Sequence, residues 1–366
     1  MPRENITQLQ GNCILIMFIF GSTIVFGVGS EAGQDMWIAF VLALAMTVPA
    51  VLVYARIMSL SPGKDLFEIM EELFGKIFGK TLTVLVAWFA IHLGASVLRN
   101  FTDFIQVVSM PETPQLPVAI LILAVIIYLT KCGVELFGRW AAVTLIIICA
   151  VFLFTLSLSF KSMEFTNILP IMGHSSDVII RAAFQQFSLP LAETVLFLGL
   201  AGSLKKEASP YKAYLYAILF AGTLTIIIIL RNISLLGPLM EAVYYPSYVA
   251  TRLVNTGDFL VRTENLISIN YLFAGVVKLS LCVFAGAKGL ASLFNIQNYK
   301  DVLAPVCLLL LMFSVISYES VMHLFDFVKN YYPIYVFPFQ VIIPLLVWIA
   351  AEIRRVRKDG AGNTSK

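Results

Sequence analysis

The chain has 366 residues, 59% of them hydrophobic and 13% charged, with a formal net charge of +3. Soluble proteins carry about 25% charged residues, so this composition excludes a water-soluble globular domain, which could not expose so much apolar surface. The small positive excess requires no nucleic-acid partner, and function must reside in the few polar groups and helix breaks inside the apolar segments.

A membrane-spanning helix needs about 20 apolar residues. Ten stretches meet or approach that length: 11–30, 36–58, 81–108, 116–130, 140–160, 178–203, 211–236, 266–294, 302–318 and 335–353. Runs such as 121–127 and 226–230 are apolar on every side, which suits helices and not the alternating strands of a membrane barrel. The reading is an all-α polytopic membrane protein with ten transmembrane helices. A single transmembrane domain is expected over 1–353, in halves 11–160 and 165–353. A basic cytoplasmic tail follows over 354–366, disordered from Val356. The first apolar run has no small-residue cleavage site, so no cleaved signal peptide is expected. Arg56, Lys64, Lys76, Lys80, Lys131, Arg139, Lys205 and Lys206 fall in loops on one side, whereas the turns 29–35 and 109–115 carry no Lys or Arg. This bias puts both termini in the cytoplasm.

In chain order, the first span is interrupted by Gly21, Ser22, Thr23, Gly27 and Gly29. Each glycine costs a helix about 1 kcal/mol relative to Ala. The two readings are close packing through small residues and a break in the helix. On the third span His92, Ser96, Arg99 and Asp103 share one helical face. Arg99 and Asp103 are spaced to pair, and the face either lines the interior or the outer vestibule or forms a structural interhelical network. His92 reads first as an interior histidine and second as a proton relay. In the sixth span Pro190 removes a backbone donor, and Glu193 follows with Phe184, Gln185, Gln186 and Ser188 upstream. A carboxylate at that depth costs several kcal/mol unless it is paired or protonated, so this segment reads as a polar pocket. Arg231 is expected to reach the outer headgroups. The connection 240–263, with Glu241, Tyr244, Tyr245, Pro246, Tyr248, Arg252, Asp258 and Arg262, is amphipathic enough to form an interfacial lid. Lys278 lies mid-span in the eighth helix and needs a partner, either Glu193 or carbonyls freed near Gly21. Trp37, Trp140, Tyr331, Tyr332, Tyr335 and Trp348 read as interface anchors. The five cysteines read as small buried hydrophobes.

The two breaks occupy the first span of each five-span half. That arrangement points to a transporter-like 5+5 inverted repeat with a site at the broken helices. Unwound helix ends offer N–H groups to a carboxylate and C=O groups to an ammonium, which suits an α-amino acid. No Walker loop, HExxH or catalytic carboxylate pair occurs, so no enzyme activity, cofactor or metal is expected.

The segments Ile6-Thr7-Gln8, Gly21-Ser22, Gly33-Gln34-Asp35-Met36-Trp37, Phe74-Gly75-Lys76-Ile77-Phe78-Gly79-Lys80, Phe187-Ser188-Leu189-Pro190-Leu191-Ala192-Glu193 and Lys278 together carry a resemblance. The chain resembles the B subunit of spore germinant receptors, within the amino acid/polyamine/organocation permease superfamily, over nearly its whole length. The resemblance implies a LeuT-like fold in the spore inner membrane and association with A and C subunits. It implies binding of a small germinant, typically an amino acid. Gly21, Ser22 and Thr23 would then be the unwound first helix, and Phe184, Ser188, Pro190 and Glu193 the sixth-helix wall of the site. Proton-dependent relatives in the superfamily can place a fifth-helix lysine where others hold sodium; here Lys278 could supply that cation. The alternative readings are a proton-coupled amino acid transporter using Glu193 or His92, and a subunit whose open state conducts ions.

Overall fold

The computed structural model describes residues 5–23, 27–254 and 263–363, with side chains as far as 357. Helix α1 (Gln8–Thr23) is followed by a 3₁₀ turn at Ser30–Asp35 and then by α2 (Met36–Leu60), α3 (Leu66–Val108), α4 (Gln115–Lys131) and α5 (Val134–Ser159). The second half runs from α6 (Ser176–Gln186), which continues irregularly to Ser203, through α7 (Pro210–Leu236) and a short α8 (Pro246–Leu253). It then passes through α9 (Glu264–Phe294), α10 (Leu303–Ile316), α11 (Val321–Asn330), α12 (Tyr332–Phe337) and α13 (Ile343–Asn363). Seven of these elements are long and apolar enough to cross a membrane. The short α4 and the two broken elements, α1 and the sixth, bring the helical spans to the ten expected.

The long spanning helices are largely apolar all round because each touches either protein or lipid. Helix α1 is buried from Ile14 to Ser22 and packs against α5, α7 and α9 at the centre of the bundle. Helices α4 and α5 instead turn Leu121 and Ile146 outward, with 69% and 71% of their surface exposed. Water would not tolerate such a face, but a bilayer does. Gly21 allows α1 to lie directly on α9: a Cβ there would sit 2.8 Å from Lys278 Cβ and 3.1 Å from the Ala274 carbonyl.

Three expectations are corrected, and one helix is added to them. Residues 66–74 form an additional helix at one end of the bundle, started by an Asp65–Glu68 capping box and separated from the span by Gly75, whose φ of 75° favours a residue without Cβ. The segment from Val356 continues α13 to Asn363. Arg231 does not reach headgroups. It is 1% exposed and donates to Asn232 Oδ1 at 2.8 Å and toward the Ser247 carbonyl. The short α8 roofs this position, which local hydropathy could not reveal. Cys132 is exposed, whereas Cys13, Cys282 and Cys307 are buried. Of the expected lid, α8 is described; Asp258 and Arg262 lie outside the described residues.

Candidate functional site

The site begins with the interruption of the sixth span. Leu189 takes φ −135° and ψ 116°, extended values inside a helical run, ahead of Pro190. Breaking the helix strips carbonyls of their intrahelical donors, and buried carbonyls must find others. Side chains from three other helices supply them. Gln340 Nε2 donates to the Ser188 carbonyl at 2.8 Å, Tyr54 OH to that of Ala192 at 3.3 Å, and Tyr214 OH to that of Thr194 at 3.1 Å. The single Tyr54 proton is shared between the Ala192 carbonyl and the closer Gln340 carbonyl, at 2.6 Å. The break is thus held open by a ring of donors from α2, α7 and the tenth span.

Glu193 lies just beyond this break and is fully buried, as is Lys278 on α9. Lys278 Nζ donates to Glu193 Oε2 at 2.5 Å and to Ser22 Oγ, near the end of α1, at 2.6 Å. Tyr332 OH donates to the other carboxylate oxygen, Oε1. Lys278 Nζ also lies 4.9 Å from the centre of the Phe18 ring, a favourable contact for a desolvated ammonium. One cation and one anion cancel within a dry core. Two of the ammonium's three donors make hydrogen bonds there, and both carboxylate oxygens are occupied. That is the condition under which a buried ion pair is tolerated. The cluster ties together the first, sixth, eighth and tenth spans.

Two cavities flank the break in the first span. The inner one, about 20 Å³, is lined by Ser22, Thr23, Val28, Phe40, Leu189 and Pro190. It has room for about one water molecule and is smaller than any amino acid. The outer one, about 260 Å³, lies among Gly29, Glu31, Gln185, Glu241, Tyr244 and Phe325. Val28 borders both, and Gln186 Nε2 donates to its carbonyl at 2.9 Å. Gln185 Nε2 reaches Glu31 Oε1 at 3.1 Å and the Lys329 carbonyl at 3.0 Å. Glu31 also pairs with Lys329 at 2.7 Å. Glutamine amides from the sixth span therefore bolt it to the first span's outer turn and to α11, separating the two cavities.

Of the residues singled out in the sequence, the structure brings Ser22, Glu193 and Lys278 into contact and puts Gly21 against Lys278. Thr23 and Pro190 line the small inner cavity. Ser188 is fully buried, with its carbonyl used and its hydroxyl unpartnered. Phe184 is set apart, stacking on Phe187 and touching Phe337. His92 is also elsewhere, among Trp88, Phe327 and Tyr335, with Nδ1 unpartnered. Arg99 Nε donates to both Asp103 oxygens at 3.0 Å, Gln115 joins Asp103, and Ser96 Oγ meets Tyr318 OH at 2.8 Å. This face is an interhelical network joining α3 to α4 and to the end of α10.

Sequence reasoning missed Tyr332, taken for an interface anchor. It is 1% exposed, because the short α11 covers it and α12 turns it inward. It also missed Gln340, a lone amide two residues after Pro338 in an apolar run. Both the polarity and the proline were visible signals. Asp35, fully buried, accepts from the backbone N–H groups of Met172 and His174 at 2.6 and 2.9 Å. It thereby fastens the outer turn before α2 to the loop that precedes α6.

Comparison with known proteins adds the following. The sequence model of the family described as spore germination protein matches residues 5–321. The chain is 24% identical over 365 residues to spore germination protein KB of Bacillus subtilis, covering 98% of each. It is 21% identical over 334 residues to spore germination protein XB of Bacillus anthracis, covering 89% of this chain and 92% of that protein. Among solved structures, it resembles Mhp1, a nucleobase-cation-symport-1 family transporter, in a closed conformation with bromovinylhydantoin bound. The TM-score is 0.69 at 14% identity, covering 93% of this chain and 78% of that one. It also resembles MhsT in complex with L-phenylalanine, with a TM-score of 0.66 at 12% identity, covering 96% and 89%. These likenesses establish the LeuT-like fold.

Proposed function

This chain belongs to the spore germination permease family, and we propose that it is the ligand-binding membrane subunit of a nutrient germinant receptor. Its ligand is a small germinant, an α-amino acid, and its output passes to A and C partner subunits in the spore inner membrane, with both termini cytoplasmic. The carrying observation is the buried Lys278–Glu193 pair at the junction of the broken first and sixth spans. A ligand ammonium competes with Lys278 for Glu193, and the ligand carboxylate meets the freed Lys278 and the N–H groups of the broken helices. Because the inner cavity is smaller than an amino acid, binding requires the Gln186–Val28 bolt to part. The ligand therefore favours one arrangement of the bundle over another, and that difference in affinity is what a partner subunit reads. Gly21, Ser22, Thr23, Gln185, Ser188 and Pro190 line or approach this path. MhsT, which shares the fold, was solved in complex with L-phenylalanine, which supports the amino-acid class.

The second reading is a proton-coupled amino acid transporter, supported by the transporter fold and by a titratable carboxylate at its centre. Time-resolved retention of labelled amino acids by proteoliposomes containing this chain separates the two. Retention that saturates near one ligand per protein, and is absent in Glu193→Gln, is expected of the receptor. Accumulation that scales with vesicle volume overturns it in favour of transport. Lys278 also stands as the fixed cation in place of sodium. Lys278→Ala is then expected to make retention sodium-dependent, and unchanged stability and retention would refute that role.

A further inference from the structure

The inner end of the bundle carries a cavity unrelated to the Lys278–Glu193 site. It measures about 600 Å³ and is walled by Arg56 at the end of α2, Lys64 in the following loop, and Arg354 and Arg355 on α13. Ser59, Ser61 and Tyr211 complete the polar lining. Among the described residues, Glu72 is the sole carboxylate in the wall. Glu72 is shared, accepting from Lys64 and pairing with Arg354 at 2.8 Å, while Arg56 pairs with Glu352 at 2.5 Å behind the wall. Leaving Arg355 aside, the three cations Arg56, Lys64 and Arg354 face two carboxylates, Glu72 and Glu352, and the cavity is left positive. The Arg56, Lys64 and Arg354 side chains are 33%, 43% and 38% exposed, so a ligand can reach them.

The helices that frame this cavity lead from it into the lipid-facing surface. Helix α2 packs against both α7 and α13, and each of the three presents exposed apolar residues at helical spacing toward the cavity end. On α2 these are Val48 and Leu52, with Arg56 one turn further. On α13 they are Ile349 and Ile353, next to Arg354. On α7 they are Tyr216 and Leu219, above Tyr211. A positive cavity at a membrane interface, continuous with apolar stripes, has the chemistry of an anionic phospholipid: phosphate at one end and acyl chains along the other.

We propose that this cavity is a binding site for an anionic phospholipid. Its phosphate is held by Arg56, Arg354 and Arg355, and its chains lie along α2, α7 and α13. The lipid would brace α2 against α13, and Tyr54 already couples α2 and the Gln340 turn that leads into α13 to the break in the sixth span.

The test is the melting temperature of the purified full-length chain in detergent, titrated with phosphatidylglycerol, phosphatidylcholine or sn-glycerol 3-phosphate. Phosphatidylglycerol is expected to raise it saturably and phosphatidylcholine to leave it nearly unchanged. In Arg354→Gln/Arg355→Gln the half-saturating concentration is expected to rise about thirtyfold, and in Arg355→Gln alone, which leaves the Glu72 pairs intact, about fivefold. Lys131→Gln/Arg139→Gln removes two exposed cations of the same end outside the cavity and is expected to respond like the unmodified chain. Equal responses to the two lipids, or an unchanged response in both the double and the single cavity variants, would overturn the site. Protection by sn-glycerol 3-phosphate at the same concentrations would overturn the lipid in favour of a soluble phosphate ligand.

Discussion

Substituting Lys278 by Met keeps the stem that packs on Gly21 but deletes the ammonium. Glu193, fully buried, then retains Tyr332 as its donor and loses its counter-charge. Removing one partner of a buried pair typically costs about 3–5 kcal/mol, because the other charge is stranded. Unfolding entropies near 2 cal/mol/K per residue imply that a chain of 366 residues shifts its midpoint by about 1.3 °C per kcal/mol. The expected drop is therefore about 4–6 °C, read by tryptophan fluorescence during heating in detergent. Adding Glu193→Gln to Lys278→Met removes the stranded charge, and most of the loss is expected to be regained. The signature is non-additivity: the double variant melts above the Lys278→Met single variant. Additive losses, or a Lys278→Met protein that melts like the unmodified chain, would refute the claim that these two residues neutralise each other.

Two further outcomes follow from the same geometry. Gly21→Ala inserts a methyl 2.8 Å from Lys278 Cβ and 3.1 Å from a backbone carbonyl, so α1 must move off α9; overpacking of this kind costs about 1–3 kcal/mol, visible as a lower melting temperature. Gln186→Ala removes the donor to the Val28 carbonyl between the two cavities, so a Thr23→Cys reporter, in a background with the exposed Cys132 changed to Ser, is expected to react faster with a water-soluble maleimide than it does with Gln186 in place.

Much of the architecture was legible before any coordinates, for a local reason. Hydropathy, small residues and prolines act within a few residues of themselves, so the ten spans and the two interruptions could be read along the chain. Glu193 and Lys278 could be flagged as well, since an ionisable group at mid-span is costly wherever it sits. Amphipathic surface helices were less legible. Residues 66–74 and α11 are short and mixed in polarity, and they form because a capping box or a Ser320 cap starts them and the bundle end supports them.

Read along the chain alone, this is a helical membrane protein of ten spans, broken at two places, with two mid-span charges that require compensation. Which group compensates which is set by packing. Lys278 and Glu193 are 85 residues apart, and their meeting depends on the rotation and depth of three helices, as does the turning of Tyr332 inward and the roofing of Arg231 by α8. Rotation about a helix axis changes the composition of that helix not at all, while it changes every neighbour its side chains touch. Pairing is a property of packing, and one-dimensional periodicity is nearly silent about it when every face of a helix is apolar.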